Sequence, residues 1–125
     1  MHDVDAASLG RLGEELARVY LAACGFRCLA AGHRTRFGEI DLIVRRGGLV
    51  AFVEVKTRRG EGWGTPAAAV DRRKLARLRR LAAAWRQENA GVGADFRFDV
   101  VGITLLGDDR GCRIEHFPGC GAFAR

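Results

Sequence analysis

The stretch from Gly38 to Arg58 constrains the fold more than any other part of the chain, because it has the pattern of a β-hairpin. Apolar and polar residues alternate on both sides of a Gly47-Gly48 pair, and a period of two is typical of strands. Two adjacent glycines suit a two-residue type I′ turn, since both central positions of that turn need positive φ. The sequence therefore predicts two antiparallel strands joined at this pair.

The predicted turn also fixes which residues face each other. With a two-residue loop, Leu42 lies opposite Val53 and Ile40 lies opposite Val55, so one face of the hairpin is wholly apolar. A slip of one residue would mix the apolar and polar faces, whereas a slip of two would keep the faces and change only the partners. The apolar pattern thus supports this parity independently of the turn.

The other face of the hairpin carries four charged residues. Asp41 lies opposite Glu54, and Glu39 lies opposite Lys56. Directly opposed side chains have Cβ atoms about 4.5–5.5 Å apart, and like charges there are destabilising. A divalent cation would explain the acidic pair, because Mg²⁺ takes one or two carboxylates together with waters and phosphate oxygens. The alternative is a solvated polar face on which Lys56 neutralises both acids.

Two sequence blocks carry a resemblance to known proteins. Asp41, followed about a dozen residues later by Glu54-Val55-Lys56, resembles the PD-(D/E)xK nuclease superfamily. More narrowly, residues 38–43 and 52–58 resemble the YraN-like family (uncharacterised protein family 0102), which is similar to archaeal Holliday junction resolvases. The proline that often precedes the aspartate in the superfamily is absent. The resemblance covers roughly residues 9–104 and implies an α/β, three-layer restriction-endonuclease-like fold with a central mixed β-sheet flanked by helices.

The same resemblance implies a metal site. Asp41 and Glu54 would bind Mg²⁺ or Mn²⁺, with the carbonyl of Val55 as a third ligand. Glu14, on the first helix, would bind a second ion or a coordinated water. Lys56 would orient the attacking water or stabilise charge on the phosphoryl oxygens. For Glu14 the alternative is an acid near the helix start that the helix dipole favours.

The first helix is predicted from about Leu9 to Cys24, with Ser8 as N-cap and residues 1–8 frayed. Its apolar stripe has helical spacing and comprises Leu9, Leu12, Leu16, Val19, Tyr20 and Ala23. Ala17 and Leu21 widen this surface on the side of Glu14, so Glu14 lies at its boundary.

A second helix is predicted from Thr65, as N-cap before Pro66, to about Gln87 or Glu88. Its apolar face comprises Val70, Leu75, Leu78, Leu81, Ala82 and Trp85. Lys74 falls in the middle of this apolar arc, so its ammonium either snorkels to solvent or points at an anion. A carboxylate cluster beside the hairpin, or a bound phosphate, would be that anion. Lys74 and Glu39 are therefore expected next to the metal ligands.

The chain is basic, and its basic residues are clustered. It has 21 Lys and Arg against 15 Asp and Glu among 125 residues, a formal net charge of +6. Such a charge favours nucleic acid as a partner, although basic proteins without that role are the alternative. Trp63 either stacks on a base or anchors its glycine-rich loop. The predicted nucleic-acid-binding residues are Arg34, Arg36, Arg58, Arg59, Trp63, Arg72, Arg73, Lys74, Arg79 and Arg80.

Three further strands complete the predicted domain. They run from Phe26 to about Ala31, over 96–103 and over 112–117, with the first and last at sheet edges. Residues 32–36 are predicted to be a basic loop, His33 is left out of the catalytic set, and Asp99 is predicted to be structural. The order helix, strand, hairpin, helix, strand, strand predicts one α/β domain with a helix on each face and a loose tail over 118–125.

The remaining features suggest a cytoplasmic protein. The four cysteines lack zinc-site spacing, the acidic N-terminus is unlike a signal peptide, and no apolar run is long enough to span a membrane. Free thiols in a reducing cytosol are therefore expected.

Together these patterns favour a metal-dependent endonuclease that hydrolyses phosphodiester bonds in DNA, with branched or structured DNA among its candidate substrates. The alternative is a nucleic-acid-binding accessory protein that keeps the fold without significant turnover. The presence of Asp41, Glu54 and Lys56 together favours the enzyme. The resemblance to resolvases also implies a homodimer.

Overall fold

The computed structural model describes residues 5–64, 71–107 and 110–120. Helix α1 spans Ala6–Ala23 and helix α2 spans Arg72–Glu88. The strands are β1 (Arg27–Thr35), β2 (Gly38–Arg46), β3 (Leu49–Arg59), β4 (Asp95–Leu105) and β5 (Cys112–Phe117). They form one sheet in the order β1-β2-β3-β4-β5, in which β3 and β4 are parallel and the other neighbours are antiparallel.

Two apolar clusters cover the two faces of the sheet. Ala17 and Leu21 of α1 lie in one cluster with Leu42 and Val53. The second cluster joins α2 to the opposite face, and its buried members include Phe52, Leu78, Leu81, Ala82, Trp85 and Phe98. This arrangement confirms the predicted α/β fold, with a mixed sheet as the middle of three layers. Neither described helix combines the length and apolarity that crossing a membrane would need.

The hairpin has the predicted register close to its turn. Arg46 pairs with Leu49, and the ladder continues to the pair Leu42–Val53. The predicted type I′ turn is wrong, because Gly47 has a φ of 59° and Gly48 does not have positive φ. Positive φ at the first central position alone is the type II′ pattern, which gives the same two-residue register.

Helix α1 differs from the prediction at its start. Asp5, not Ser8, is the N-cap, and its carboxylate accepts a hydrogen bond from the Ser8 amide at 2.7 Å. Residues 6–8 are therefore helical instead of frayed. Both residue types are good N-caps. Because the helix begins at Ala6, Asp5 is the residue that accepts from the Ser8 amide, and Ser8 itself lies in the first turn.

The buried face of α1 is also not the predicted stripe. Gly13, Ala17 and Leu21 are buried, whereas Leu12 is 41% exposed and Val19 is 63% exposed. Small residues on the inner face let the helix backbone approach the sheet closely. A Cβ on Gly13 would lie only 1.7 Å from Oγ1 of Thr57 on β3. Close approach therefore outweighs the number of large apolar side chains in setting the rotation of α1.

This contact leads to a prediction with a matched control. Gly13→Ala should destabilise the fold by about 1–3 kcal/mol, because the new methyl overlaps Thr57 and one element must shift. Gly10→Ala lies on the same helix with nothing within 4 Å of the new Cβ, so it should stabilise by about 0.5–1 kcal/mol through helix propensity. Urea unfolding of both variants measures the difference. Equal effects would show that the close approach is not needed.

Helix α2 begins later than predicted. Asp71 is its N-cap, has extended backbone, and accepts a hydrogen bond from the Lys74 amide at 2.9 Å. The predicted start at Thr65-Pro66, and Val70, lie outside the described residues. The predicted apolar face is otherwise confirmed, since Leu78, Leu81, Ala82 and Trp85 are buried.

The edges of the sheet confirm the predicted positions of β1 and β5, but β1 is longer than expected. It runs to Thr35, so most of the predicted basic loop over 32–36 is strand paired with β2. Of the tail predicted to be loose, residues 121–125 lie outside the described residues, and residues 118–120 are not loose, because the Cys120 amide donates to the carbonyl of Phe98 at 2.7 Å. The four cysteines are free and partly buried.

Asp99 has the structural role predicted for it. It is fully buried on β4, where Arg97 contacts both of its carboxylate oxygens, at 2.7 and 2.9 Å. His116 Nε2 lies 2.8 Å from Asp99 Oδ2, and the Gly119 amide donates to Oδ1. These contacts tie β4 to β5 and to the segment after it.

Candidate metal and nucleic-acid site

The site lies where β2 and β3 separate. Their ladder ends at Leu42–Val53, while β2 stays paired with β1 as far as Gly38 and β3 stays paired with β4 as far as Arg59. The predicted ladder pair of Asp41 with Glu54 is therefore not formed. Instead, Asp41 Oδ2 accepts a hydrogen bond from the Val55 amide at 2.8 Å. A side chain thus replaces the next rung of the ladder, and the two strands part around it.

The separation also limits the predicted apolar face. Leu42 and Val53 share the cluster beneath α1, and Val55 packs against that cluster. Ile40, however, belongs to the cluster beneath α2. The prediction that Ile40 pairs with Val55 on one apolar face is therefore wrong, because the strands no longer face each other beyond Leu42 and Val53.

Helix α2 contacts Glu54 through Lys74. The ammonium Nζ of Lys74 lies 2.6 Å from Oε1 of Glu54, and the two side chains are 23% and 14% exposed. Of the two orientations predicted for Lys74, the structure shows the one that points at an anion. Capping by Asp71 places Lys74 in the first turn of α2, directly above the acidic end of the site.

Lys56 lies on the same side of β3 as Glu54. Val50 and Phe52 pack in the cluster beneath α2, and alternation along an uninterrupted strand puts Glu54 and Lys56 on that side as well. Lys56 is partly buried and forms no hydrogen bond or ion pair with another described residue. The alternative in which Lys56 neutralises both acids is therefore not what the structure shows; Lys74 neutralises Glu54 instead.

Neighbouring acids contribute to the pKa values of Asp41 and Glu14. The pKa of Asp41 is raised to about 7, chiefly by burial and then by the charge of Glu54, while the hydrogen bond from Val55 opposes both. Glu14 and Glu39 contribute smaller repulsions to Asp41. Burial also raises the pKa of Glu14, with Glu39 and Glu54 as the next causes. The structure thus brings the predicted helical glutamate of α1 to the acids of the sheet.

Glu39 on β2 and His33 on β1 lie beside the strand separation. Glu39 Oε2 is 3.5 Å from Nη2 of Arg34, which is 84% exposed. His33 pairs with Ile40 across the β1–β2 ladder, and its buried Nε2 has no hydrogen-bond partner among the described residues. No hydrogen bond or ion pair among the described residues joins His33 to the acids, and its omission from the catalytic set stays a prediction.

The donor set fits a hard divalent cation. In a strand, the N–H and C=O of one residue point toward the same neighbour, so the Val55 carbonyl points toward β2, as its amide does. Asp41, Glu54 and this carbonyl supply oxygen donors of the kind that Mg²⁺ prefers. Within 5–64, 71–107 and 110–120, no three Asp, Glu, His or Cys side chains are grouped to hold a metal by themselves. Mg²⁺ suits such an open set, because it keeps several waters and uses one or two carboxylates.

The predicted nucleic-acid-binding residues fall into separate groups. Arg72, Arg73, Arg79 and Arg80 are exposed on α2, whereas Lys74 is turned inward to Glu54. Near the site, Arg34 pairs with Glu39, and exposed Arg36 lies over the ring of Phe37, 4.8 Å from its centroid. Arg58, Arg59 and Trp63 lie at the far end of β3 and in the loop that follows.

One basic residue of this region escaped the sequence prediction. Arg113 on β5 pairs with Glu61 in the loop after β3, and it also lies 3.5 Å from Glu115. A lone arginine on a predicted edge strand gives no signal of this kind. Only the sheet order, which brings β5 to the end of β3 through β4, places it there.

Comparison with known proteins agrees with the resemblance in the two hairpin blocks. The model of a family described as "Uncharacterised protein family UPF0102" matches residues 13–103, which include α1 from Gly13 and every strand up to β4. A UPF0102 protein of Nocardia farcinica is 50% identical over 101 residues, covering 81% of this chain and 80% of the relative. One of Mycolicibacterium smegmatis is 45% identical over 123 residues, covering 97% and 98%. With its hairpin, acids and lysines lying within the matched segment, the chain belongs to the UPF0102 (YraN-like) family.

Proposed function

We propose that this protein is a metal-dependent nuclease that hydrolyses phosphodiester bonds in DNA. The observation that carries the proposal is the meeting of Asp41 and Glu54 where β2 and β3 part, with Lys56 on the same side of β3 as Glu54. Two repelling, half-buried acids destabilise the fold unless a cation neutralises them. The three-layer architecture is also the one expected of PD-(D/E)xK nucleases, which the sequence resembles.

The residues of the site have distinct roles in this proposal. Asp41, Glu54 and the Val55 carbonyl would hold Mg²⁺ or Mn²⁺, and Glu14 would hold a second ion or a coordinated water. The bound ion would supply an activated water and polarise the phosphoryl oxygens. Lys56 is free of ion pairs with described residues, so its ammonium is available to orient water or to stabilise charge on the phosphate.

Lys74 has a positioning role here. Its contact with Glu54 neutralises one acid without any metal and fixes the carboxylate that a metal would use. Because Oε1 of Glu54 contacts Lys74, Oε2 is the oxygen that would be left for a metal. Glu39, paired with Arg34, supports the negative potential of the site from β2.

The proposal is tested by a cleavage assay. Labelled duplex, single-stranded and four-way-junction DNA would be incubated with the protein and Mg²⁺, Mn²⁺ or EDTA. Cleavage that requires a metal and is lost in EDTA is the expected result. Absence of cleavage on all three substrates with both metals would contradict the proposal.

The exposed basic face of α2 leads to a separate prediction about binding. Because Arg72, Arg73 and Arg80 would contact phosphates, DNA affinity should fall steeply as salt rises. Arg72→Glu and Arg80→Glu should weaken binding alike for every sequence and reduce the salt slope by about 1 per lost contact. Arg18→Glu is the matched control, since Arg18 is exposed on α1, away from α2. Affinity that ignores salt would count against a phosphate-binding face.

A nucleic-acid-binding accessory protein is the second candidate. The observation that favours it is the Lys74–Glu54 ion pair, which satisfies one acid without a metal. Under this candidate DNA binds with the same salt dependence, but no metal-dependent cleavage occurs. The homodimer and the cytoplasmic location stay predictions.

A further inference from the structure

The loop after β3 holds an exposed tryptophan in a defined position. Trp63 is 62% exposed, and its indole Nε1 donates to the carbonyl of Arg59 at 2.8 Å. Across the described ranges, the other exposed large hydrophobic side chains are aliphatic, Leu12 and Val19 on α1. Core packing does not explain an aromatic ring that is left in solvent while its N–H is held.

Contacts to two neighbouring strands brace this loop before Trp63. The Gly60 amide donates to the carbonyl of Leu105 on β4 at 2.9 Å. One residue later, Glu61 pairs with Arg113 on β5. The loop is therefore tied to the sheet, so little conformational entropy of the loop is lost when a ligand binds the ring.

The loop is also held after Trp63, and its surroundings are basic. Arg58 Nη1 donates to the carbonyl of Gly64 at 2.7 Å. Arg59 is exposed beside it, and Arg113 lies across the loop, where it is paired with Glu61. An aromatic ring among arginines is the combination with which single-strand binders hold a base and its phosphates.

The distance to the acids suits one nucleic-acid strand. Trp63 is bonded to Arg59, which follows Glu54 by five residues on an uninterrupted strand. At about 3.3 Å per residue this is about 16 Å, less than half of the roughly 34 Å of one DNA turn. A strand bound at Glu54 and Asp41 would therefore reach the indole within a few nucleotides.

We propose that Trp63 is a stacking platform for an unpaired base, so that the nuclease site takes DNA with a single-stranded segment beside the bond to be cut. The choice of substrate rests on the proposed function, whereas the stacking itself does not. A base inside a duplex is covered on both faces by its neighbours and offers no face to the indole. The platform therefore selects single-stranded or branched DNA over continuous duplex.

The test measures binding in EDTA, where no metal-dependent cleavage occurs. Labelled single-stranded and duplex oligonucleotides of one sequence are titrated with wild type, Trp63→Leu and Trp63→Phe. Loss of the stacked ring should weaken single-strand binding about 5- to 100-fold and change duplex binding by less than about twofold. Trp63→Phe should keep most of the single-strand affinity. Arg80→Glu is the control, since it should weaken both kinds of binding alike.

A measurement on wild type avoids any question of altered folding. Trp85 is 4% exposed, so quenching of tryptophan fluorescence by acrylamide reports mainly on Trp63. Single-stranded oligonucleotide should protect Trp63 from the quencher, and duplex should not. Equal protection by both, or by neither, would overturn the proposal.

The outcomes separate this inference from the nuclease proposal. If no DNA is cleaved with any metal but single strands still protect Trp63, the nuclease proposal fails and the platform stands. If metal-dependent cleavage is found and Trp63→Leu binds single strands as wild type does, the platform fails and the nuclease stands.

Discussion

Asp41→Asn is expected to lower metal-dependent cleavage by a factor on the order of 10² or more while leaving DNA binding intact. Asparagine keeps the shape of the side chain, and its amide oxygen can still accept the hydrogen bond that the Val55 amide donates to Asp41. What is lost is one ligand charge at the point where β2 and β3 separate. Removing a charge that repels phosphate should also leave binding in EDTA equal or tighter. Cleavage rate and affinity, measured on the same preparations, test both statements.

Lys56→Ala is the companion variant, because Lys56 has no ion pair with a described residue to lose. A comparable loss of turnover is expected if its ammonium acts on water or phosphate. Arg27→Ala is a control, since Arg27 is exposed at the start of β1 and lies outside the predicted DNA-binding residues and the acidic site. Equal, slow cleavage by wild type, Asp41→Asn and Lys56→Ala would point to a contaminating nuclease and favour the accessory-protein candidate.

The sequence predicted those features that depend on local pattern. The alternation on both sides of Gly47-Gly48 was enough for the register from Arg46–Leu49 to Leu42–Val53. Helical spacing likewise places Lys74 among the apolar residues of α2. It leaves open whether Lys74 points to solvent or to an anion, and the contact with Glu54 decides this. Both predictions succeed because, in these two elements, the large apolar residues recur at the period of the element on its inner side.

Other features depend on contacts that no local pattern reveals. The separation of β2 from β3 depends on the Asp41–Val55 hydrogen bond and on the pairing of each strand with its outer neighbour. The rotation of α1 depends on how closely Gly13 approaches Thr57, which hydrophobicity does not measure. Glu14 nevertheless reaches the acids, because it follows Gly13 directly at the edge of that contact.

Asp41 should also make stability depend on pH. Its pKa is about 7 in the folded protein against an ordinary value of 3.8, chiefly because of burial and then because of Glu54. Between these values the folded state keeps a proton that the unfolded state has lost, so stability falls as pH rises from about 4 to about 7. At about 1.4 kcal/mol per pH unit the loss is at most about 4 kcal/mol at pH 8.

Asp41→Asn tests this contribution of Asp41 together with its repulsion of Glu54, Glu14 and Glu39, because carboxylates away from the site titrate equally in both proteins. The variant should be more stable than wild type in EDTA at pH 8, by up to about 4 kcal/mol, and the difference should shrink as pH falls toward 4. Urea unfolding at several pH values measures it. Parallel curves of unfolding free energy against pH would show that the Asp41 charge does not destabilise the folded protein.

A metal should remove the same penalty from wild type alone. Millimolar Mg²⁺ or Mn²⁺ at pH 8 should raise the melting temperature of wild type by mass action, and raise that of Asp41→Asn much less. At pH 5 the effect on wild type should be smaller, because the metal must displace the proton from Asp41. An equal shift in both proteins would place the ion elsewhere. If the melting temperature of neither protein changes, no metal binds at the acids, and Lys74 alone neutralises them in part. That result would contradict the metal-dependent nuclease proposal.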